Sequence, residues 1–571
     1  MKDRFGNEIG AKAPSKWSEI NWRSVKKRVR NLRQRIFRAT KEQQWKKVRS
    51  LMKLMLKSQA NLLLSIRRVT QENQGKRTAG IDGKVALTHQ DRWELVSQLI
   101  SLKAWKVKPA KRVYIPKANG KQRPLGIPTI KDRILQAMVK NALEPSWESQ
   151  FEATSYGFRP GRSVHDAIEQ IHNRVSKGRD EWILDADIKG CFDNIDHEYL
   201  MKTLGAIPAR ELIRQWLKAG YVEAQVFNHT ESGTPQGGII SPLLANIALH
   251  GLGSLLSTYE KTKTYKYTNK AAGNVKTEHR KSQKYGYIRY ADDFIVTATT
   301  KEDLEQIKPV IEKWLKDRGL ELNEEKTHIR HISEGFDFLG FNIRQFKGKT
   351  LCRPERKKLL TKLREIRGWL KNHTNSDPFD VISVLNPIIR GFGNFYRIGT
   401  SSEAFHYLDY HLWRASYQWA RHRHPNKGAR WVMKKYFRSQ GNYNCVFYGK
   451  TKDRRGNDKV VYLSRASDIH IERHIQVKGT NSPDDPSLKD YWASRQTNAG
   501  KKYWDRSSKY HKIAANQKWK CPECGEHLFN GEDLQLHHIV GVAEGGTDDV
   551  HNLLHLHKSC HRHVHSGRCV A

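Results

Sequence analysis

Asp187 closes a run that begins Trp182-Ile183-Leu184, and Asp292 and Asp293 stand side by side between Tyr287-Ile288-Arg289-Tyr290 and Phe294-Ile295-Val296. Asp is a common turn residue, so an Ala-Asp-Asp turn by itself has a plain structural reading. Apolar strands flanked by acids in two places say more. Carboxylate oxygens suit hard divalent cations such as Mg2+. Two such cations about 3.5–4 Å apart can serve the attacking 3′-oxygen and the leaving phosphate of nucleotidyl transfer. A second constellation lies in the last part of the chain. Cys521-Pro522-Glu523-Cys524 and His557-Lys558-Ser559-Cys560 are two pairs with the same spacing. Thiolate and imidazole ligands so arranged suit tetrahedral Zn2+. His555 competes with His557 for the third position. His561 and His565, four residues apart, share one helix face.

The elements that would position these residues can be read from periodicity. Residues 110–345 alternate short β-rich runs with helical ones, an α+β pattern. It sets the acids at a strand end and a hairpin tip. From Asn21 onward, Val25, Val29, Leu32 and Ile36 recur at helical spacing, with Lys26, Lys27, Arg28, Arg30, Arg33 and Arg35 between them. A second helix is expected around Trp45 to Arg68, followed by a Gly-rich break. Residues 1–20 read as loose. Residues 257–285 are a polar insertion with eight Lys/Arg and two Glu, either a disordered basic loop or an RNA contact. Residues 355–440 read as helical. Residues 441–515 read as irregular, aromatic and basic, with a linker at Asn481-Ser482-Pro483-Asp484-Asp485-Pro486. The expected divisions are 1–85, a basic helical extension; 86–345, the α+β part; 346–440, a helical part; 441–515, an irregular basic segment and linker; and 516–571, a small Cys/His module.

Lys and Arg number 102 against 59 Asp and Glu, a net charge of +43. A surface that basic attracts polyanions and repels itself without them. Sixteen Trp and twenty-one Tyr accompany the cations, and aromatics in that setting suit base stacking. The chain has no run of 18 apolar residues, so no membrane span is expected. Residues 1–16 lack an apolar signal core, which argues against secretion. The expected compartment is the bacterial cytoplasm or an organelle. Four of seven cysteines fall in the last 51 residues, and an odd, clustered set points to a metal site rather than disulfides.

Asp187-Ile188-Lys189-Gly190-Cys191-Phe192-Asp193 and Tyr290-Ala291-Asp292-Asp293 closely resemble motifs A and C of reverse transcriptases. The resemblance implies that Asp187, Asp292 and Asp293 hold two Mg2+ ions, with the Ile188 carbonyl contributing. It also implies that Phe192 is an aromatic gate against the ribose 2′-hydroxyl; an ordinary core Phe is the plain alternative. Lys117-Ala118-Asn119-Gly120-Lys121-Gln122-Arg123-Pro124-Leu125-Gly126 resembles the fingers segment. There Lys117 and Arg123 would grip the triphosphate of an incoming deoxynucleotide, as their charge and donor geometry allow. Thr234-Pro235-Gln236-Gly237-Gly238-Ile239-Ile240-Ser241-Pro242 resembles motif B, in which glycines let backbone approach the nucleotide. Gln236 would contact the nucleotide or template. Gly319 to Asn323 with Lys326, and Phe336 to Gly340, look like the later palm motif and the primer grip.

Ser155-Tyr156-Gly157-Phe158-Arg159-Pro160-Gly161-Arg162 and Asn386-Pro387-Ile388-Ile389-Arg390-Gly391-Phe392 narrow the resemblance to proteins encoded in group II introns, the latter matching their thumb, the maturase X domain. Leu536-His537-His538-Ile539, Gly545-Gly546, Asn552-Leu553-Leu554 and Cys560-His561 resemble HNH endonucleases, whose ββα fold holds one Mg2+. That implies His538 as general base, Asn552 orienting it, and His537, His561 and His565 beside the metal, with a structural Zn2+ on Cys521, Cys524, His557 and Cys560. The resemblance implies a multidomain α+β right-hand polymerase, with a basic N-terminal extension over 1–85, fingers and palm over 86–345, a helical thumb over 346–440, a DNA-binding segment and linker over 441–515 and the HNH zinc module over 516–571. Its expected partners are intron RNA, target DNA and deoxynucleoside triphosphates. The rivals are an RNA-binding splicing factor with a DNA-binding zinc finger and no endonuclease activity, and another reverse transcriptase lineage.

Overall fold

The computed structural model describes residues 14–101, 104–116, 120, 122–234, 236–268, 275–452, 456–504 and 506–567. The basic stretch after Asn21 folds as α1 (Trp22–Lys41), its N-terminus capped by the Asn21 side chain, which accepts from the Ser24 amide at 2.9 Å. Val25, Val29, Leu32 and Ile36 form its buried stripe. The second expected helix is two, α2 (Trp45–Lys57) and α3 (Gln59–Arg67), divided at Ser58, whose hydroxyl caps α3. Residues 14–20 are not loose: Trp17 and Ile20 are buried, and Trp17 packs on Trp22 at 5.2 Å between ring centroids. Two large apolar side chains in so polar a stretch are enough to anchor it.

The fingers strands β1 (Ala110–Pro116) and β2 (Gln122–Ile127) pair antiparallel, and the long helix α4 (Ile130–Glu148) follows. β3 (Trp182–Asp187) is the first palm strand. The 257–285 insertion is more regular than its composition suggests. It is an antiparallel ribbon of β4 (Glu260–Thr268) and β5 (Val275–Gln283). β6 (Gly286–Tyr290), β7 (Asp293–Ala298) and β8 (His328–His331) complete the palm sheet in the order β8-β3-β7-β6, all antiparallel. Its central strands bury Ile183, Leu184, Phe294, Ile295 and Val296, so the sheet ends are held rigidly from both faces.

Helices α5 (Arg356–Asn372), α6 (Pro378–Tyr396) and α7 (Ser402–Arg423) form the thumb. Their apolar faces share one core with the outer face of the palm. Residues 441–515 are more ordered than expected. Tyr443–Lys452 pairs with Phe437–Gln440 and with Asp458–Tyr462, and the helix Lys489–Tyr503 follows. Asn481 to Pro486 is no free linker: Ser482 and Asp484 are buried, and Arg33 of α1 binds Asp484 (2.7 Å) and Glu144 (2.9 Å) through Nη2. The chain ends in a ββα unit: β9 (Leu534–His538) and β10 (Leu553–His557) pair antiparallel, and α8 (Lys558–Gly567) follows directly. No described helix is long and apolar enough to cross a membrane.

Candidate active sites

The β3–β7 register sets Asp187 directly opposite Asp293. The β6–β7 connection is as tight as a hairpin can be, and Ala291 at its tip takes φ +60°. Left-handed backbone at a non-glycine residue needs support. Arg289, 1% exposed, supplies it by donating from Nη1 to the Ala291 carbonyl (3.1 Å) and to Asn246 Oδ1 (2.9 Å). Asn246 in turn donates to the Gly157 carbonyl at 2.9 Å. Gly157 must be glycine, because a Cβ there would lie 2.3 Å from the Ala291 amide nitrogen. The Ser155–Arg162 block thus braces the acidic turn, and Tyr156 N–H donates to the Arg289 carbonyl at 2.9 Å.

Three carboxylates meet at this sheet end. Burial pushes Asp293 up to about 7, and the charges of Asp292 and Asp187 add to that. Burial also raises Asp292, while Asp185, one layer back, is pushed up to about 6. Lys326 Nζ donates to Asp187 Oδ2 at 2.8 Å and Asn323 Nδ2 to the same oxygen at 3.2 Å. The carboxylate holds that ammonium charged. One cation does not balance three carboxylates, and an all-oxygen donor set of this kind fits divalent metal. Residues Gly319 to Asn323 lie against Asp187, bonded by Asn323 N–H to the Asp187 carbonyl (2.8 Å) and Lys189 N–H to the Glu321 carbonyl (2.9 Å). The Ile188 carbonyl is not used in that bridge.

The nucleotide-side residues gather above. Arg123 Nε donates to Gln236 Oε1 at 3.0 Å, and Gln236 Nε2 donates to Asp193 Oδ2 at 3.3 Å. Asp193 was not singled out as a site residue by the sequence, although it closes the same motif as Asp187. Gly237, at φ +115°, abuts the Gly126 carbonyl, where a Cβ would approach to 2.6 Å. Phe192 is buried and meets Phe158 edge-on at 6.2 Å. Lys117 and Pro235 lie outside the described residues.

In the last module, ligand atoms of Cys521, Cys524, His557 and Cys560 lie within 4.8 Å of one another, and all four residues are buried. The donor set, three sulfurs and one nitrogen, fits zinc. His557 directs Nδ1 toward Cys524 Sγ (3.4 Å) and Nε2 to the His527 carbonyl (3.1 Å), a tautomer-fixing contact typical of ligating histidine. His555 is elsewhere, stacked on Trp504 at 4.5 Å and bonded to the Tyr510 carbonyl, so the choice between the two falls on His557. His537, His561 and His565 form a second cluster, with His565 Nε2 and His561 Nε2 3.3 Å apart. Burial and His565 hold His561 below its usual pKa. His538 Nε2 meets Asp548 Oδ1 at 2.7 Å, a partner the sequence did not mark. Asn552 bonds the Val540 and Thr547 backbone, and so shapes the loop that carries Asp548.

A palm sheet with acids at its end, a helical thumb and a ββα metal module together define a polymerase of the reverse transcriptase class joined to an endonuclease. The model of the reverse transcriptase (RNA-dependent DNA polymerase) family matches residues 115–343, and that of the N-terminal domain of reverse transcriptase matches 17–99. The group II intron maturase-specific domain matches 357–437, and the HNH endonuclease family 521–567. The chain is 37% identical over 315 residues to Protein YkfC of Escherichia coli (strain K12), covering 51% of this chain and 82% of that protein. It is 31% identical over 414 residues to group II intron-encoded protein LtrA of Lactococcus lactis subsp. cremoris, covering 59% and 69% respectively. The chain belongs to the group II intron-encoded proteins, and it is an RNA-directed DNA polymerase, a maturase and an HNH endonuclease. Its polymerase and maturase domains bind nucleic acid, intron RNA included.

Proposed function

We propose that the three activities serve insertion of the intron into DNA, with cDNA synthesis primed by the nicked target. The observation that carries the polymerase assignment is the cross-strand pair Asp187–Asp293 with Asp292 beside it, where burial and the neighbouring carboxylate charges push Asp293 up to about 7. Asp187, Asp292 and Asp293, with the Ile188 carbonyl, would hold two Mg2+ ions, which would supply Lewis-acid activation of the primer 3′-hydroxyl and charge for the leaving pyrophosphate.

The chain's own groups do the rest. Arg123 and Lys117 bind the triphosphate of the deoxynucleotide. Gln236, held between Arg123 and Asp193, lies at the nucleotide or template edge. Phe192 excludes a 2′-hydroxyl by bulk. Lys326 neutralises Asp187 until substrate arrives. In the endonuclease, His537, His561 and His565 would hold one divalent cation, which would supply Lewis-acid charge at the cleaved phosphate; three imidazole nitrogens suit a transition metal better than Mg2+. Asp548 accepts from His538 Nε2, which places the lone pair on Nδ1, the atom that takes a proton from water. Asn552 keeps that loop in place. Zn2+ on Cys521, Cys524, His557 and Cys560 is structural.

The test is primer extension on an RNA template. Asp292→Ala or Asp187→Ala abolishes cDNA synthesis while intron RNA binding, which rests on Lys and Arg, survives. Near-normal synthesis by either variant would falsify the assignment.

A further inference from the structure

Three thiolates and a neutral imidazole around a divalent ion leave a net charge of about −1. A buried charge is costly unless it is paired or hydrogen-bonded. Cys521, His557 and Cys560 are 0% exposed and Cys524 2%, so water does not offset that charge.

Two cations reach the sulfurs, and both come from the opposite end of the chain. Arg67, the last residue of α3, is 1% exposed. It donates from Nη2 to Cys560 Sγ at 3.3 Å and to the Ser559 hydroxyl at 2.5 Å. Lys26 of α1 points Nζ to Glu532 Oε1 (2.7 Å) and lies 3.8 Å from Cys524 Sγ. Glu532 ties the two together. Its second oxygen accepts from Ser559 Oγ at 2.7 Å and lies 3.9 Å from Arg67 Nη2. The surrounding surfaces fit as closely. The Arg67 guanidinium lies 4.5 Å from the Trp22 ring centroid, and Trp22 meets His563 edge-on at 6.4 Å. The knuckle turn at Gly525 runs under α1, where a Cβ would come within 3.1 Å of Arg23 Nε.

A structural Arg alone would explain part of this, since Glu72 already accepts from Arg67 Nε at 3.0 Å. It would not explain why Nη2 is directed at a sulfur and at the residue beside it while the buried Nη1 is left without a partner among the described residues, nor why Lys26 faces a second sulfur of the same cluster. Both contacts stabilise thiolate over thiol, as outer-sphere donors do at metal sites.

We propose that α1 and α3 form the outer shell of the zinc site: Lys26 and Arg67 neutralise the thiolates of Cys524 and Cys560, and zinc is held firmly only while the module is docked on these helices. The endonuclease module is therefore not self-sufficient, because its metal site is completed about 500 residues upstream. The inference rests on the reading of Cys521, Cys524, His557 and Cys560 as zinc ligands.

The experiment uses the full chain. Zinc content is measured first, then release of zinc into a chromogenic chelator, with primer extension followed in parallel as a report on the rest of the fold. The parent should hold about one zinc per chain; a parent without zinc, or a Cys521→Ser variant that keeps it as firmly, overturns the ligand assignment and the inference with it. Arg67→Met should release zinc about tenfold or more faster than the parent, Arg67→Lys should fall between, and primer extension should persist. Parental release from Arg67→Met overturns the inference and leaves the ligand assignment standing. Where Arg67→Met also loses primer extension, Lys26→Met decides: faster release supports the proposal, and the parental rate overturns it.

Discussion

Arg289 reaches past its neighbour Tyr290 to hold the Ala291 carbonyl at 3.1 Å, so the turn that presents Asp292 and Asp293 hangs from a guanidinium two residues away. The same group binds Asn246, which binds Gly157. The acidic turn is thus fixed from behind by residues other than the three carboxylates. Arg289→Met should lower kcat for cDNA synthesis on the order of 10²-fold, with a much smaller change in KM, because misplacement of about 1 Å at reacting groups costs that much. Arg289→Lys should recover part of the loss. Equal losses in kcat and KM would argue against a positioning role.

Phe192 packs edge-on against Phe158, so removing its ring costs stability as well as bulk. The informative quantity is a ratio. Phe192→Ala should raise ribonucleotide over deoxynucleotide incorporation about tenfold or more, the scale of discrimination a steric contact carries. An unchanged ratio makes Phe192 an ordinary core residue.

His538→Ala should stop nicking of DNA and spare extension of a supplied primer. Asp548→Asn should weaken nicking less, since it leaves the imidazole but not its carboxylate partner at 2.7 Å. Cys521→Ser should stop nicking and lower the module's melting temperature, because structural zinc contributes folding free energy. Parental nicking by His538→Ala would show the module to be a DNA-binding zinc finger without nuclease chemistry.

Asp166 docks the 463–500 segment on the palm. Burial would raise its pKa, but bonds from His474 (2.9 Å), Ser163 Oγ (2.7 Å) and the Val477 amide (2.8 Å) outweigh that and hold it at about 2. A lowered pKa means the contribution is complete above the ordinary value near 3.8 and is lost as pH falls toward about 2. The shift corresponds to about 2 kcal/mol. Asp166→Asn should therefore be less stable than the parent by roughly that amount at pH 5 to 7. The gap should close between about pH 4 and pH 2 in denaturant titrations; a gap independent of pH would assign the stabilisation to packing.

The acids were legible because their signal is local: two short apolar strands, each ending where a carboxylate can face its neighbour. The Cys/His pairs were legible for the same reason, since ligand spacing is written in the chain. What supports them was not. Arg289 sits in a strand that reads like any amphipathic edge, and only the fold brings Asn246 and Gly157 to it. Asp548 meets His538 from ten positions downstream, across a loop with no periodicity. Lys26 and Arg67 look like solvated charges on basic helices, and their partners lie far downstream. The three strands between Phe437 and Tyr462 escaped notice because their pairing depends on a buried aromatic group, Tyr436, Phe437 and Phe447 packed with Trp419, that no alternation in the sequence announces.

Arg33 grips Asp484 with two bonds and Glu144 with one, and Asp484 belongs to the stretch Asn481 to Pro486 that the sequence offers as a tether. A tether pinned at its middle has no slack to pay out. On the insertion route proposed above, the nuclease would then work at a fixed station relative to the polymerase, and the cut strand end would have to make the journey between them.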